Sequence, residues 1–380
     1  MPITYTTIPP DAQIKEFEKV TKGFFPGGIG TAVSGTLTTA SLASTQKKYY
    51  LNLQYSSKDC LSVGYGHWAG SGSDTAGDAH PGSTEAQYKQ LANMVLFDSQ
   101  METGFTFTGS STNWKNRQDD IYFIIAERAQ MLDRINKRNW TIKLSGSFAT
   151  NVNGADIYGS SSKIWLTDDS RDVAVTNTPG GPRYNIVSGT LGNVAKAATE
   201  RKYGYFYPDL GLFVLNVTAL TSSAGHKDGL TYVAGQNVCI TGAVPWRATG
   251  SNTKPGTDFR GNGLNPATGS TSDVDGDNAF KLAVALEKGA VTLRSEEDQT
   301  TKSYFCRAKA GDFNFTNNPT FVTGSNNEMY QASYEGNPQT FITTIGLYNT
   351  SQELVAVGRL SKPVKKNYGT ERSFKVNITY

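Results

Sequence analysis

The clearest alternation of apolar and polar positions lies at the C-terminal end. Phe374, Val376, Ile378 and Tyr380 alternate with Ser373, Lys375, Asn377 and Thr379, the period-two pattern of a strand with one face on a core. Upstream, Thr340–Tyr348 and Leu354–Leu360 are β-prone runs joined by Asn349-Thr-Ser-Gln-Glu353, which predicts a hairpin, with a turn expected after it at Pro363. Further strands are predicted at Lys48–Tyr55, Cys60–Tyr65, Asp120–Ile125, Trp140–Leu144, Lys163–Leu166, Tyr205–Tyr207 and Leu212–Val217. Helical spacing is rarer. Tyr88, Leu91, Met94 and Val95 follow a possible capping box at Thr84 and Gln87, and Ala126–Ile135 and Ala279–Glu287 read as short helices. The chain therefore reads as mainly β: a layered antiparallel β-sandwich with two or three short helices carried in side loops.

This pattern divides the chain. Residues 1–45 read as an extended arm whose small, β-tolerant residues order against a partner or against the chain's own body. Residues 46–380 form the sandwich body, with a loop-rich insertion around 145–303 and C-terminal strands in 304–380. The polar stretch Thr249–Asp277 is expected to be an exposed excursion. No internal repeat or heptad pattern occurs.

Composition narrows the function classes. The 380 residues are 37% hydrophobic and 18% charged, with a formal charge of +3. The balance is made up by Gly, Ser, Thr and Asn, which suits short strands, polar loops and protein interfaces. Near-neutral charge argues against nucleic acid as a partner; Lys362-Pro-Val-Lys365-Lys366 is the densest basic cluster and reads as a solvated turn. Cys60, Cys239 and Cys306 fit neither a disulfide framework nor a zinc pattern, and buried free thiols in a reducing cytoplasm are expected. There is no signal peptide pattern, and no apolar run approaches the roughly 18 residues of a membrane span.

Catalytic motifs fail on mechanism. Gly64-Tyr-Gly66-His-Trp-Ala-Gly70 has its third glycine one residue late and no following helix to hold a pyrophosphate. Asp273-Val-Asp275-Gly-Asp277 spaces its carboxylates as a calcium loop does. An EF-hand would need Gly where Asn278 stands and Glu where Val284 stands, so a weak calcium site at Asp273, Asp275 and Asp277 or a helix-opening turn remains. His67, His80 and His226 are the three histidines, and none stands in a nucleophile motif or at metal-ligand spacing. The pairs Asp119-Asp120, Asp168-Asp169 and Glu296-Glu297 would face opposite ways on a strand. Tyr49-Tyr50 and Tyr203-Gly-Tyr-Phe-Tyr207 offer either a sugar or nucleic-acid platform or, as strand aromatics more often do, core or interface. No cofactor and no enzymatic activity are expected.

Several segments together resemble virion structural proteins of T-even-like contractile-tailed phages, including those infecting cyanobacteria. They are Asp119-Asp-Ile-Tyr-Phe123 through Lys137-Arg-Asn-Trp140-Thr-Ile-Lys-Leu144, Trp165-Leu-Thr-Asp168-Asp-Ser170, Tyr203-Gly-Tyr-Phe-Tyr-Pro-Asp-Leu-Gly211, Asp312-Phe-Asn-Phe-Thr-Asn-Asn-Pro319, and Thr343–Asn349 through Leu360–Pro363. Within that group the order of landmarks is similar to the dimer-forming baseplate wedge subunit, from Val63-Gly-Tyr-Gly-His67-Trp68 to Pro363 and the last strand. That subunit has Pro before the Trp where this chain has His67. The resemblance implies a tail structural protein in the virion, assembled in the host cytoplasm as a homodimer with other baseplate proteins, with no catalytic residues and with neither membrane nor nucleic acid as a partner. A neck or tail accessory protein and a receptor- or glycan-binding module are the alternatives.

Overall fold

The computed structural model describes residues 5–40, 50–70, 82–107, 117–145, 163–194, 202–221, 274–326 and 328–380. The chain is mostly β, with antiparallel sheets and three α-helices among these residues, as the alternation predicts. It divides into two compact units. Val20–Glu297 is the larger; Met1–Lys19 and Asp298–Tyr380 together form the smaller. Two strands run through the division, β1 (Gln13–Gly23) and β16 (Arg294–Ala308).

The larger unit is built on one sheet. Its strands are β2 (Thr31–Ala32), β3 (Leu37–Thr39), β4 (Leu51–Tyr55), β5 (Lys58–His67), β6 (Asp120–Ala126), β8 (Thr141–Ser145), β9 (Lys163–Asp168), β11 (Gly181–Thr190), β13 (Gly204–Tyr207), β14 (Leu212–Asn216) and β15 (Ala290–Thr292). The short strands β10 (Thr176–Thr178) and β12 (Asn193–Val194) pair with β11, and β7 (Arg134–Ile135) pairs with β16. The spatial order is β2-β15-β8-β9-β11-β13-β14-β6-β5-β4-β3. Its two end strands are thus separated in sequence only by Val33–Thr36, so the sheet must curl until its edges meet. The helix α3 (Val274–Glu287) packs against β3, β4 and β5 near one end of that order and against β8 and β15 near the other. The sheet wraps around it.

Pleating then sorts the side chains. Leu61, Val63 and Tyr65 of β5 pair with Ala126, Ile124 and Tyr122 of β6 and join Phe213, Leu215 and the α3 residues Leu282, Ala283 and Leu286 in one core. Trp140 is fully buried there, its ring 5.1 Å from Phe206 and 4.9 Å from Phe213. On the opposite face Ile121, Phe123, Tyr205, Tyr207 and Val214 meet Tyr88, Leu91, Ala92 and Val95 of α1 (Ser83–Val95). The third helix, α2 (Val217–Thr221), is opened by Asn216, whose side-chain oxygen accepts the Ala219 amide.

The smaller unit has less to bury. β21 (Arg372–Thr379) pairs antiparallel with β16, with β1 on the other side of β16. β17 (Val322–Thr323) and β18 (Glu328–Met329) form a small ribbon, and β19 (Thr340–Tyr348) with β20 (Leu354–Lys366) forms a long hairpin. Its turn is closed by the Glu353 amide on the Asn349 side chain at 2.8 Å, with Gln352 left-handed at φ 64°. Asn suits such a turn because its side chain mimics a backbone acceptor.

Several expectations change. Helix α1 opens at Gly82 with no side-chain cap, so Thr84 and Gln87 lie inside it, both buried. Ala126–Ile135 is the end of β6, a 3-10 turn at Arg128–Gln130 and β7 rather than a helix. Part of the presumed insertion, Lys163–Asn216, supplies four adjacent strands, β9, β11, β13 and β14, from the middle of the large sheet. The presumed arm contributes β1, β2 and β3, each paired within the chain; Ser41–Lys48 and most of the Thr249–Asp277 stretch lie outside the described residues. β20 runs on through Pro363 because the ladder breaks there. Ile342 pairs with Val364 and Thr344 with Arg359, so Thr343 alone faces Leu360–Pro363, and the proline needs no ladder hydrogen bond.

Candidate functional site

The glycine motif proves to be a packing device. A Cβ on Gly64 would lie 2.1 Å from the Phe123 ring, and one on Gly66 would lie 3.0 Å from the Tyr88 amide nitrogen. The glycines let an aromatic ring and α1 close onto β5. At the end of that strand Tyr65 donates its hydroxyl to Asp120, and His67 Nε2 stands 3.9 Å from the same carboxylate. Burial, with the Asp120 charge adding to it, drives the Tyr122 hydroxyl pKa far up. Phenols kept neutral in this way donate hydrogen bonds and do not act as bases. The cluster fastens β5 to β6. Trp68 beside it is covered by the Arg117 guanidinium, 4.7 Å from its ring centre, and meets Tyr88 edge-on.

The adjacent carboxylates do diverge. Asp168 accepts the Arg138 amide at 2.8 Å, where Arg138 is left-handed at φ 65°. Asp169 accepts both the amide and the side-chain nitrogen of Asn185, at 3.0 and 2.7 Å. Burial raises the Asp169 pKa against these hydrogen bonds and the nearby Lys202 ammonium, whose own pKa burial lowers. Glu296 is buried against Arg134 at 2.7 Å. Each acid is used to hold strands. Tyr203, Tyr205, Phe206 and Tyr207 are buried, which overturns the platform reading and assigns them to core.

Cys60 is buried and free and Cys306 half-buried and free, with burial raising both thiol pKa values. The backbone places Asp275 and Asp277 on the first turns of α3, where acids suit a helix start. Asp273, His80, His226, Cys239 and Tyr49 lie outside the described residues. Among the described residues no group of three His, Cys, Asp or Glu side chains could hold a metal ion. No described helix is long and apolar enough to cross a membrane.

What remains unabsorbed is the surface of the smaller unit. Its buried apolar residues are Ala308, Phe321, Val322 and Leu347. Along the hairpin, burial alternates except at the two register shifts. Leu347 with Ala356, Ile345 with Gly358 and Ile342 with Val364 face inward, and a Cβ on Gly358 would stand 3.9 Å from the Val376 side chain of β21. The outward pairs are Tyr348 with Leu354, Gly346 with Val357, Thr344 with Arg359, and Phe341 with Lys365, all exposed. Phe341, Leu354 and Val357 are each more than half exposed, at 57, 53 and 58%. Tyr5 meets Tyr348 edge-on at 4.9 Å, so the start of the chain already uses one end of this face.

Charge on the same ribbon is one-sided. Arg359, Lys362 and Lys365 are exposed and have no carboxylate partner among the described residues, whereas Arg307 in the same unit pairs with Glu371. Lys366 behaves differently from its neighbours and from a solvated turn. Its ammonium is fully buried and donates at 2.9 Å to the carbonyls of Ala310 and Asn367 and to the Asn314 side chain. All three of its donors are used, so it stitches the 310–314 loop to the end of β20.

Tyr380 completes the alternating strand in backbone terms, exchanging hydrogen bonds with Thr300. Its side chain is nonetheless exposed, with the Lys302 ammonium 5.6 Å from the ring centre, while Phe374, Val376 and Ile378 are half-buried. Alternation gives its face, and Lys302 covers only part of the ring. Comparison with known protein families, with curated sequences and with solved structures finds no match for this chain.

Proposed function

We propose that the chain is a structural subunit of a contractile phage tail, most like a baseplate wedge component that assembles through dimer and neighbour-subunit interfaces. The observation that carries this reading is the outward face of the β19–β20 hairpin, where four large apolar side chains stand in water on a unit with few buried apolar residues of its own. A lone protein gains nothing by exposing such a face, whereas a permanent assembly buries it. The sequence resemblance supplies the contractile tail as the setting. The buried acids and tyrosines of the larger unit support the same reading, since they are spent on joining strands and packing the core.

The test is composition and necessity. Mass spectrometry of purified tails from a phage encoding this chain is expected to find it in fixed stoichiometry, and its loss by nonsense mutation is expected to leave baseplates unassembled. Intact infectious tails lacking the chain would overturn the proposal.

A further inference from the structure

We infer that the outward face of the β19–β20 hairpin docks a different protein, one that presents Asp and Glu around an apolar centre. This inference rests on the assembly reading above and names the chemistry of the partner. The face is ordered along the ribbon. Tyr348, Leu354 and Val357 form an apolar field near the turn, and Arg359, Lys365 and Phe341 a mixed cationic field toward the base.

Two features select the occupant. First, the outward face sets two cations, Arg359 and Lys365, beside apolar side chains, and neither has an acid within reach among the described residues. Glu353 is the acid at the tip, and its carboxylate already accepts the Asn349 side chain. Desolvating unpaired cations is costly, so a stable complex needs carboxylates from the other side. Second, the apolar field excludes a purely anionic partner. A nucleic acid backbone would meet the cations, and Phe341 and Tyr348 could stack on unpaired bases. But Leu354 and Val357 carry no donors and no ring and would stay unused, and a duplex offers no free base faces to the rings. An acidic protein surface with an apolar centre satisfies both halves.

The experiment uses the full purified chain and a defined probe, a fluorescent twelve-residue peptide alternating Glu with Val. The comparators are its Lys–Val counterpart, phosphatidylglycerol vesicles and duplex DNA. The Glu–Val peptide is expected to bind and to weaken as salt rises. Val357→Asp is expected to abolish binding. The double variant Arg359→Glu, Lys365→Glu is expected to lower affinity for Glu–Val at least about tenfold per charge and to transfer preference to Lys–Val. These positions are solvent-exposed, so an unchanged unfolding midpoint confirms that the variants fold. Equal binding of both peptides overturns the inference. So does vesicle or DNA binding that the same variants abolish, or self-association through this face. Because the readout uses no virion, a chain present in tails that binds no acidic peptide counts against this inference alone, and the reverse result counts against the tail assignment alone.

Discussion

The two units of this chain use similar strands to different ends. In the larger, both faces of the sheet are consumed, one by α3 and the Trp140–Phe206–Phe213 cluster and the other by α1. In the smaller, the hairpin and β21 turn only one half-buried side toward each other, and Phe341, Leu354, Val357 and Tyr380 stay in water. The difference teaches that period-two alternation reports a face and not its burial. A strand facing a helix and a strand facing an absent partner have the same sequence pattern, because selection for an interface and selection for a core both ask for apolar residues at every second position.

Truncation should separate the units most sharply. Trp140→Ala removes a fully buried ring from the larger unit and is expected to cost about 3–5 kcal/mol in denaturant unfolding. The exposed apolar residues of the hairpin should show no comparable penalty. If Val357→Ala destabilised the isolated chain as much as Trp140→Ala, the hairpin face would be core and the comparison would fail. Overfilling gives the next effect. Gly64→Ala drives a methyl group into the Phe123 ring and is expected to cost about 1–3 kcal/mol as α1 is displaced.

Within the smaller unit the strongest single contributor should be polar. Lys366→Met keeps the stem but strips three acceptors of their donor, for an expected loss of about 1–3 kcal/mol. Hydrogen exchange should localise that loss to the 310–314 loop and the end of β20. Burial lowers the Lys366 pKa, although Asp312 and Glu371 pull it back up. The folded state therefore releases this proton more readily than the unfolded one. Stability should rise with pH between the lowered folded value and the ordinary lysine value, and Lys366→Met should flatten that slope.

Thiol labelling offers the gentlest contrast. In a Cys239→Ser background, half-buried Cys306 is expected to react with a maleimide in the native protein, and Cys60 only on unfolding. Equal protection of both would mean that the smaller unit is as closed as the larger.

The local elements were readable in the sequence because their causes are local. The hairpin turn at Asn349–Glu353, the helical spacing of Tyr88, Leu91 and Val95, and the diverging carboxylates of Asp168 and Asp169 all follow from nearest neighbours. What stayed hidden depends on distant partners. Ala32 pairs with Val291 to help close the large sheet, and nothing near either residue announces it. Lys366 sits in a run of three cations of which it alone is buried, since only the fold brings Ala310 and Asn314 to it. The capping box at Thr84 failed because the extended Gly82 starts the helix two residues earlier. The candidate surface was half legible: Tyr348, Leu354 and Val357 stood out as strand residues, but their exposure needed the register.

The most direct measurement is hydroxyl-radical footprinting of this chain, free in solution and within purified tails. The account predicts that Phe341, Tyr348, Leu354 and Val357 are oxidised readily in the free chain and protected in the assembly, while Trp140 is protected in both. Hairpin side chains that remain as reactive in the tail as in solution would contradict it.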